Sequence, residues 1–186
     1  MITVQIHIWI LALALALVAG LWDWRTRRIP NWLTVPALAL GIGMNSVAAG
    51  WGGTKTALAG AGLALALLLP FVLLRTLGAG DWKLMGALGA FLGPRQLLTV
   101  LLATLLVAGL MAVVQVTWLR RWKTTLRNII EITRGFFYFG PRAHPVFRLD
   151  NPAIKRGDSQ LLTLPFGVGV ALATLICFGI FRFGGI

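Results

Sequence analysis

Apolar residues in this chain come in unbroken runs of about 20, and these runs constrain the fold more than any other feature. Of the 186 residues, 58% are hydrophobic and 12% are charged, whereas a soluble domain usually carries about 25% charged residues. A helix needs about 20 residues to cross a hydrocarbon core about 30 Å thick. The sequence therefore predicts an all-α integral membrane protein.

Six apolar segments are expected to form transmembrane helices within a single domain over residues 1–186. Their predicted ranges are 2–21, 32–50, 56–74, 81–94, 97–119 and 161–181. The fourth segment is short, because a helix over 81–94 spans only about 20 Å. Either this helix begins below the membrane surface or the bilayer thins around it, and both alternatives place Asp81 close to the apolar zone.

Basic residues collect on one side of the predicted topology. With the first helix running from outside to inside, the loops at 22–31, 75–83 and 120–160 contain 14 of the 17 lysines and arginines. Because basic loops stay in the cytoplasm, both ends of the chain are expected outside. The net charge of +12 then reflects the positive-inside pattern of a membrane protein. Membrane lipids are the expected partners, and no nucleic acid is expected.

The long basic loop at 120–160 begins with the spacing of an amphipathic helix. Residues 120–135 alternate basic and apolar positions in a way that suits a helix lying on an anionic inner leaflet. An aromatic cluster at 136–139 follows, as is typical of a membrane interface.

Acidic residues are scarce, and two of the five lie beside predicted spans. Asp23 directly follows the first predicted helix and Asp81 opens the fourth, so both are expected at the cytoplasmic membrane level. A rare ionisable group at such a place is a candidate functional residue. The alternative is that each pairs with a nearby base, Arg27 or Lys83. The other three are expected to balance charge in the basic loop: Glu131, Asp150 and Asp158.

Metal chemistry is not expected. A metal site needs several histidine, cysteine or carboxylate ligands at suitable spacing, and the chain has two histidines and one cysteine, Cys177. We therefore expect no metal and no other cofactor.

Three blocks of the sequence resemble the prepilin peptidase family of aspartic peptidases. Gly78-Ala79-Gly80-Asp81 is similar to the family's GxGD signature, and residues 82–93 resemble the continuation of that signature. Asp23–Thr34 resembles the family's other aspartate block, and Leu164–Gly167 resembles its segment before the last helix. The blocks occur in the family's order and cover most of the chain from about residue 20 to 180.

The resemblance implies an enzyme that removes the leader from type IV pilin-like precursors at the cytoplasmic face of the bacterial inner membrane. The family's substrates carry a short basic leader, a glycine before the cut and a hydrophobic helix after it. Asp23 and Asp81 match the catalytic aspartates. Gly78 and Gly80 are expected to let an extended substrate approach, and Lys83 and Arg27 to orient the carboxylates or bind lipid phosphate.

The chain departs from the long family members, which carry a four-cysteine cytoplasmic insertion and also N-methylate the new terminus. With one cysteine and no such insertion, it resembles the short, peptidase-only form that serves tight-adherence (Flp-type) pili. Methyl transfer is therefore not expected.

A rival hypothesis is a non-enzymatic multipass protein, either a small transporter or a subunit of a secretion or pilus assembly. Its aspartates would carry protons or pair with basic groups. Transporters are often built from repeated halves with broken helices, and the sequence shows no internal repeat.

Overall fold

The computed structural model describes residues 2–74, 77–118 and 166–183, and all of the secondary structure in them is helical. The helices are α1 (Ile2–Thr26), α2 (Asn31–Leu73), α3 (Ala79–Trp118) and α4 (Phe166–Phe183). In this described part, three helices are long and apolar enough to cross a membrane, α1 to α3, while α4 is a shorter apolar helix. The predicted helical class is confirmed for these residues, and the three long apolar helices are consistent with a membrane protein.

The chain divides into two compact units. The first contains α1, α2, α3 as far as Ala108, and α4, while the described residues of the second are the last turns of α3, 109–118. The predicted amphipathic helix at 120–135 and the aromatic cluster at 136–139 lie outside the described residues, as do Glu131, Asp150 and Asp158.

The long helix α2 folds back on itself. Its 43 residues would extend about 65 Å as one straight helix, which is more than twice the thickness of a bilayer core. Helical geometry fails at Ala49 (φ −140°, ψ 21°) and Gly50 (φ 57°, ψ −140°). On either side of this break, the hydroxyls of Ser46 and Thr54 lie 2.7 Å apart. Residues eight positions apart in a straight helix are about 12 Å apart along its axis, so the chain reverses here.

Helix α3 is broken in a similar way at Gly93, whose φ of 73° and ψ of 174° are open to glycine but strained for other residues. Pro94 follows and has no N–H to continue the helical hydrogen bonds. Beyond the break the chain returns, because Leu105 lines the same groove as Leu77, which precedes α3. A straight helix would separate these two residues by about 40 Å.

The helix bounds differ from the predicted ones in several places. Residues 51–55, expected to form a loop, are helical, and α3 continues through residues 95 and 96. The breaks at Ala49–Gly50 and at Gly93 adjoin the predicted helix ends at residues 50 and 94. Helix α1 continues to Thr26 instead of ending at residue 21, and α3 begins at Ala79 instead of 81.

The most buried part of the molecule is the first half of α3. Every residue from Leu84 to Gly93 is buried, and both halves of α2 pack on this segment. A methyl group on Gly41 would lie 3.0 Å from the backbone nitrogen of Phe91. On the other side, the backbones of Gly60 and Gly89 touch, so a methyl group on either would collide with the carbonyl oxygen of the other.

The small residues on the buried segment form the packing face that the sequence predicts. In the sequence, Gly86, Gly89 and Gly93 fall at i, i+3 and i+7, a spacing that predicts one flat helix face where another helix can approach closely. A methyl group on Gly86 would lie 2.9 Å from Leu65, and one on Gly93 would lie 2.8 Å from Thr56, both in the second half of α2. That prediction is confirmed.

Asn45 donates hydrogen bonds to backbone carbonyl groups at the break in α3. Its side-chain amide donates to the carbonyl oxygens of Ala90 (2.9 Å) and Phe91 (3.0 Å). The carbonyl of Ala90 would normally accept a hydrogen bond from the residue four positions later, but that residue is Pro94. Asn45 therefore supplies donors that the broken helix lacks.

Helices α1 and α4 lie antiparallel against each other. Near one end, the ring of Trp9 stacks on that of Phe181 at 5.3 Å between centroids. Near the other end, Gly20 allows close contact with Ala171, to whose Cβ an added methyl group would lie 3.0 Å. This pairing brings the end of α1 to the start of α4.

We expect Gly60→Ala to destabilise the protein by about 1–3 kcal/mol, because the new methyl group must force α2 away from Gly89. The thermal unfolding midpoint in detergent measures the effect. Gly62→Ala is the matched control, since a methyl group there meets no atom within 4 Å. Equal midpoints for the two variants would contradict this account of the packing.

We also expect Asn45→Leu to destabilise the protein by about 1–3 kcal/mol, because the carbonyls of Ala90 and Phe91 lose their donor. The neighbouring substitution Met44→Leu conserves volume and removes no hydrogen-bonding group, so its effect should be smaller. The same unfolding measurement compares them. A loss at Met44→Leu as large as that at Asn45→Leu would disprove the role of the amide.

Candidate active site

Asp23 lies in the last turns of α1, not after the helix as the sequence suggested. The helix ends at Thr26, because the next residue, Arg27, has a left-handed φ of 52°. The N–H of Arg27 donates to the carbonyl oxygen of Asp23 at 2.7 Å. The Asp23 side chain is only 6% exposed. A carboxylate this deeply buried requires hydrogen-bonding partners.

One partner of Asp23 comes from α4. The backbone N–H of Gly167 donates to Asp23 Oδ2 at 2.9 Å. Gly167 is the second residue of α4, and the first N–H groups of a helix have no partner within it. The positive end of the helix dipole also favours a carboxylate there. A side chain on Gly167 would lie 2.9 Å from Asp23 Cβ, so glycine allows this approach.

Asp81 lies in the first turn of α3, two residues inside the helix. Its carboxylate accepts a hydrogen bond from the backbone of Gly78, which directly precedes the helix. This is half of a capping box, in which an acidic residue in the first turn reaches back to the N-terminal backbone. Gly78 has no side chain to obstruct it, since an added methyl group would lie 2.8 Å from Asp81 Oδ2.

Gly80 allows a second close approach. A methyl group there would lie 3.0 Å from the carbonyl oxygen of Ile29, in the connection between α1 and α2. The first turn of α3 therefore packs directly on the chain that follows Asp23.

The two aspartates line one cleft of about 270 Å³ and lie close enough to interact electrostatically. The lining comes from the end of α1, the connection after it and the start of α3: Asp23, Arg27, Arg28, Ile29, Gly78, Ala79, Gly80 and Asp81. Five of the six residues singled out in the sequence thus meet at one place. Two adjacent carboxylates that accept backbone hydrogen bonds can hold a water molecule and share a proton, as in acid–base catalysis.

Lys83, the sixth residue, does not line this cleft. Its ammonium group donates to the side-chain oxygen of Asn31 at 2.9 Å, which joins the start of α3 to the start of α2. Trp82 makes a parallel connection, since its indole N–H donates to the carbonyl oxygen of Leu65 at 2.8 Å. Both residues hold α3 against α2.

Sequence reasoning missed the contribution of Gly167. The block Leu164–Gly167 resembles a segment of the family, but the resemblance gives Gly167 no role. Every residue except proline has a backbone N–H, so the sequence does not show which one binds Asp23. The available signal was the glycine at position 167, which can indicate a close approach of another side chain. Ile29 was missed for a similar reason, because it takes part mainly through backbone that faces Gly80.

More than half of the chain matches a known protein family. A sequence model of the Type IV leader peptidase family matches residues 10–113, which is more than half of the chain and includes both Asp23 and Asp81. No curated protein sequence and no solved structure matches. The family match confirms the resemblance drawn from the two aspartate blocks, while the block Leu164–Gly167 lies outside the matched residues. The chain belongs to the Type IV leader peptidase family.

Proposed function

We propose that this protein is a membrane aspartic endopeptidase that cleaves the leader from type IV pilin-like precursors at the cytoplasmic face of the bacterial inner membrane. Asp23 and Asp81 are the proposed catalytic residues. One observation carries the proposal: these two carboxylates, 58 positions apart in the sequence, line one cleft in a member of a leader peptidase family.

The proposed chemistry follows from two adjacent carboxyl groups. Because two such groups do not readily ionise together, one holds a proton while the other is charged. The charged group takes a proton from a water molecule that attacks the scissile carbonyl. The protonated group donates a hydrogen bond to the carbonyl oxygen. Asp23 accepts a backbone hydrogen bond from Gly167, and Asp81 accepts one from Gly78.

The glycines at the cleft are consistent with a substrate that binds in an extended conformation. Gly78 and Gly80 line the cleft beside Asp81 and add no side chain of their own to it, while the space that a methyl group would take is filled by the Asp81 carboxylate and by Ile29. A helical substrate must unwind near the cut before it can lie in such a cleft.

The proposed membrane placement has about six spans, with two passages from each of α2 and α3. Their reversals at Gly50 and Gly93 support this arrangement. Exposed tryptophans favour a membrane–water interface, and Trp24 (73% exposed) and Trp32 (60%) flank the Asp23 end of α1. The cleft then lies where a basic cytoplasmic leader meets the hydrophobic part of its precursor. The exposed Arg25 supports a cytoplasmic location for this end.

The activity is proposed to be peptidase-only. The single cysteine excludes a four-cysteine insertion within this chain, and the chain resembles the short form of the family that serves Flp-type pili. The partner is the precursor protein, together with the surrounding lipids.

Asp23→Asn and Asp81→Asn should each lower the rate of leader cleavage by at least about 10²-fold, because an amide cannot exchange the proton that the mechanism needs. Cleavage of co-expressed precursor is followed by mass spectrometry, which also shows whether the product is methylated. Asp158→Asn makes the same chemical change in the basic loop and should keep the normal rate. Normal trimming by either site variant, inserted in the membrane, would refute the paired-aspartate mechanism.

Gly167→Ala should lower kcat by about tenfold or more with little change in KM, because the new methyl group displaces the Asp23 carboxylate rather than the substrate. Gly179→Ala in the same helix is the control, since a methyl group there meets nothing within 4 Å. Purified variants are compared for cleavage and for thermal unfolding. If Gly167→Ala kept full kcat, Gly167 would have no part in positioning Asp23.

A further inference from the structure

An apolar groove of about 610 Å³ lies between the end of α2, the returning half of α3 and the start of α4. Its walls include Leu67 and Phe71 of α2, Leu105 of α3 and Phe166 of α4. The catalytic proposal makes no use of this groove.

The α3 wall has the shape that a helical ligand requires. Leu101, Thr104, Leu105 and Ala108 all line the groove, and their spacing of i, i+3, i+4 and i+7 places them on one continuous face. That face extends about 10 Å along the helix, the length of two helical turns. The groove thus accepts about two turns of another helix side by side.

The groove meets the aspartate cleft at two points in the chain. Leu77, which lines the groove, directly precedes Gly78, whose backbone holds the Asp81 carboxylate. Phe166, on another wall, directly precedes Gly167, whose N–H holds Asp23. A ligand that contacts Leu77 and Phe166 therefore touches the residues directly before Gly78 and Gly167, the backbone partners of the two carboxylates.

The lining selects an apolar ligand. Eight of the nine lining residues have apolar side chains, and the ninth, Thr104, is buried and donates its hydroxyl to the carbonyl oxygen of Val100 at 2.7 Å. The threonine therefore needs no hydrogen bond from a ligand. Close van der Waals packing against its walls is the interaction that this groove offers to an apolar helix.

A second apolar groove, of about 680 Å³, provides a comparison. It lies between the beginning of α1 and the first half of α2, with Val4 and Leu40 among its lining residues. Val4 precedes Asp23 by 19 positions in one helix, which is about 28 Å along the axis. This groove is similar in size and polarity, and none of its lining residues lines the aspartate cleft.

We infer that the groove beside Leu77 and Phe166 binds the hydrophobic helical segment that follows the scissile bond of the precursor. This inference rests on the proposed function. The groove supplies the affinity for the substrate, while its two connections to the aspartates align the bond to be cut. Specificity for a hydrophobic segment after the leader then comes from the walls of the groove rather than from the aspartate cleft.

Kinetics with two substrates test the inference. One substrate is the full precursor, and the other is a short peptide with the leader and a few residues after the cut but no hydrophobic segment. Leu105→Trp obstructs the groove and should lower the ratio of kcat/KM for precursor to kcat/KM for peptide by about tenfold. Leu40→Trp, in the second groove, should leave the ratio unchanged. The two leucines are matched in exposure, at 66% and 62%.

The outcomes separate the inference from the proposed function. Cleavage of the short peptide by Asp81→Asn would overturn the proposed function. Normal peptide cleavage with an unchanged ratio in Leu105→Trp would overturn the groove assignment alone.

Photo-crosslinking gives an independent test. Benzoylphenylalanine at position 105 should crosslink to the precursor when Asp81→Asn prevents its turnover, whereas the same group at position 40 should not. Crosslinks from position 105 only to lipid, or only to a second copy of the protein, would overturn the inference.

Discussion

The contact on which the rest of the structure depends is the backbone contact between α2 and the buried first half of α3. Gly60 and Gly89 touch through their backbones, and Gly41 admits Phe91 on the opposite side. Helices in a lipid environment gain little from the hydrophobic effect between them, so close van der Waals packing of small residues holds them together. This packing fixes the segment whose first turn carries Asp81.

Three helix ends meet around the aspartates: the last turns of α1 and the first turns of α3 and α4. Each carboxylate accepts a backbone N–H at a helix N-terminus, Asp23 from Gly167 and Asp81 from Gly78. Such groups are fixed by the helix itself and do not depend on flexible side chains. Lys83 is the charged residue that the sequence suggests for orienting the carboxylates, but it donates a hydrogen bond to Asn31 and holds α3 against α2 instead.

The sequence predicted the helical class, because long apolar runs have few alternatives, and it singled out both aspartates that line the cleft. It did not predict that residues 51–55 stay helical. Reversal there depends on the left-handed backbone of Gly50, and 22 glycines in one chain do not indicate which of them bends. The hydrogen bond from Gly167 was equally hidden, because a backbone donor has no residue type of its own. Both features depend on tertiary contacts rather than on local pattern.

The hydrogen bond between Asp23 and Gly167 joins the first helix of the described chain to the last. A ribosome completes α1 long before it adds residue 167, so Asp23 at first lacks this donor. The described arrangement of its carboxylate forms only when α4 has been synthesised and has packed antiparallel on α1. The order of translation therefore makes the residues that line the cleft, which end at Asp81, before the donor that holds the Asp23 carboxylate in place.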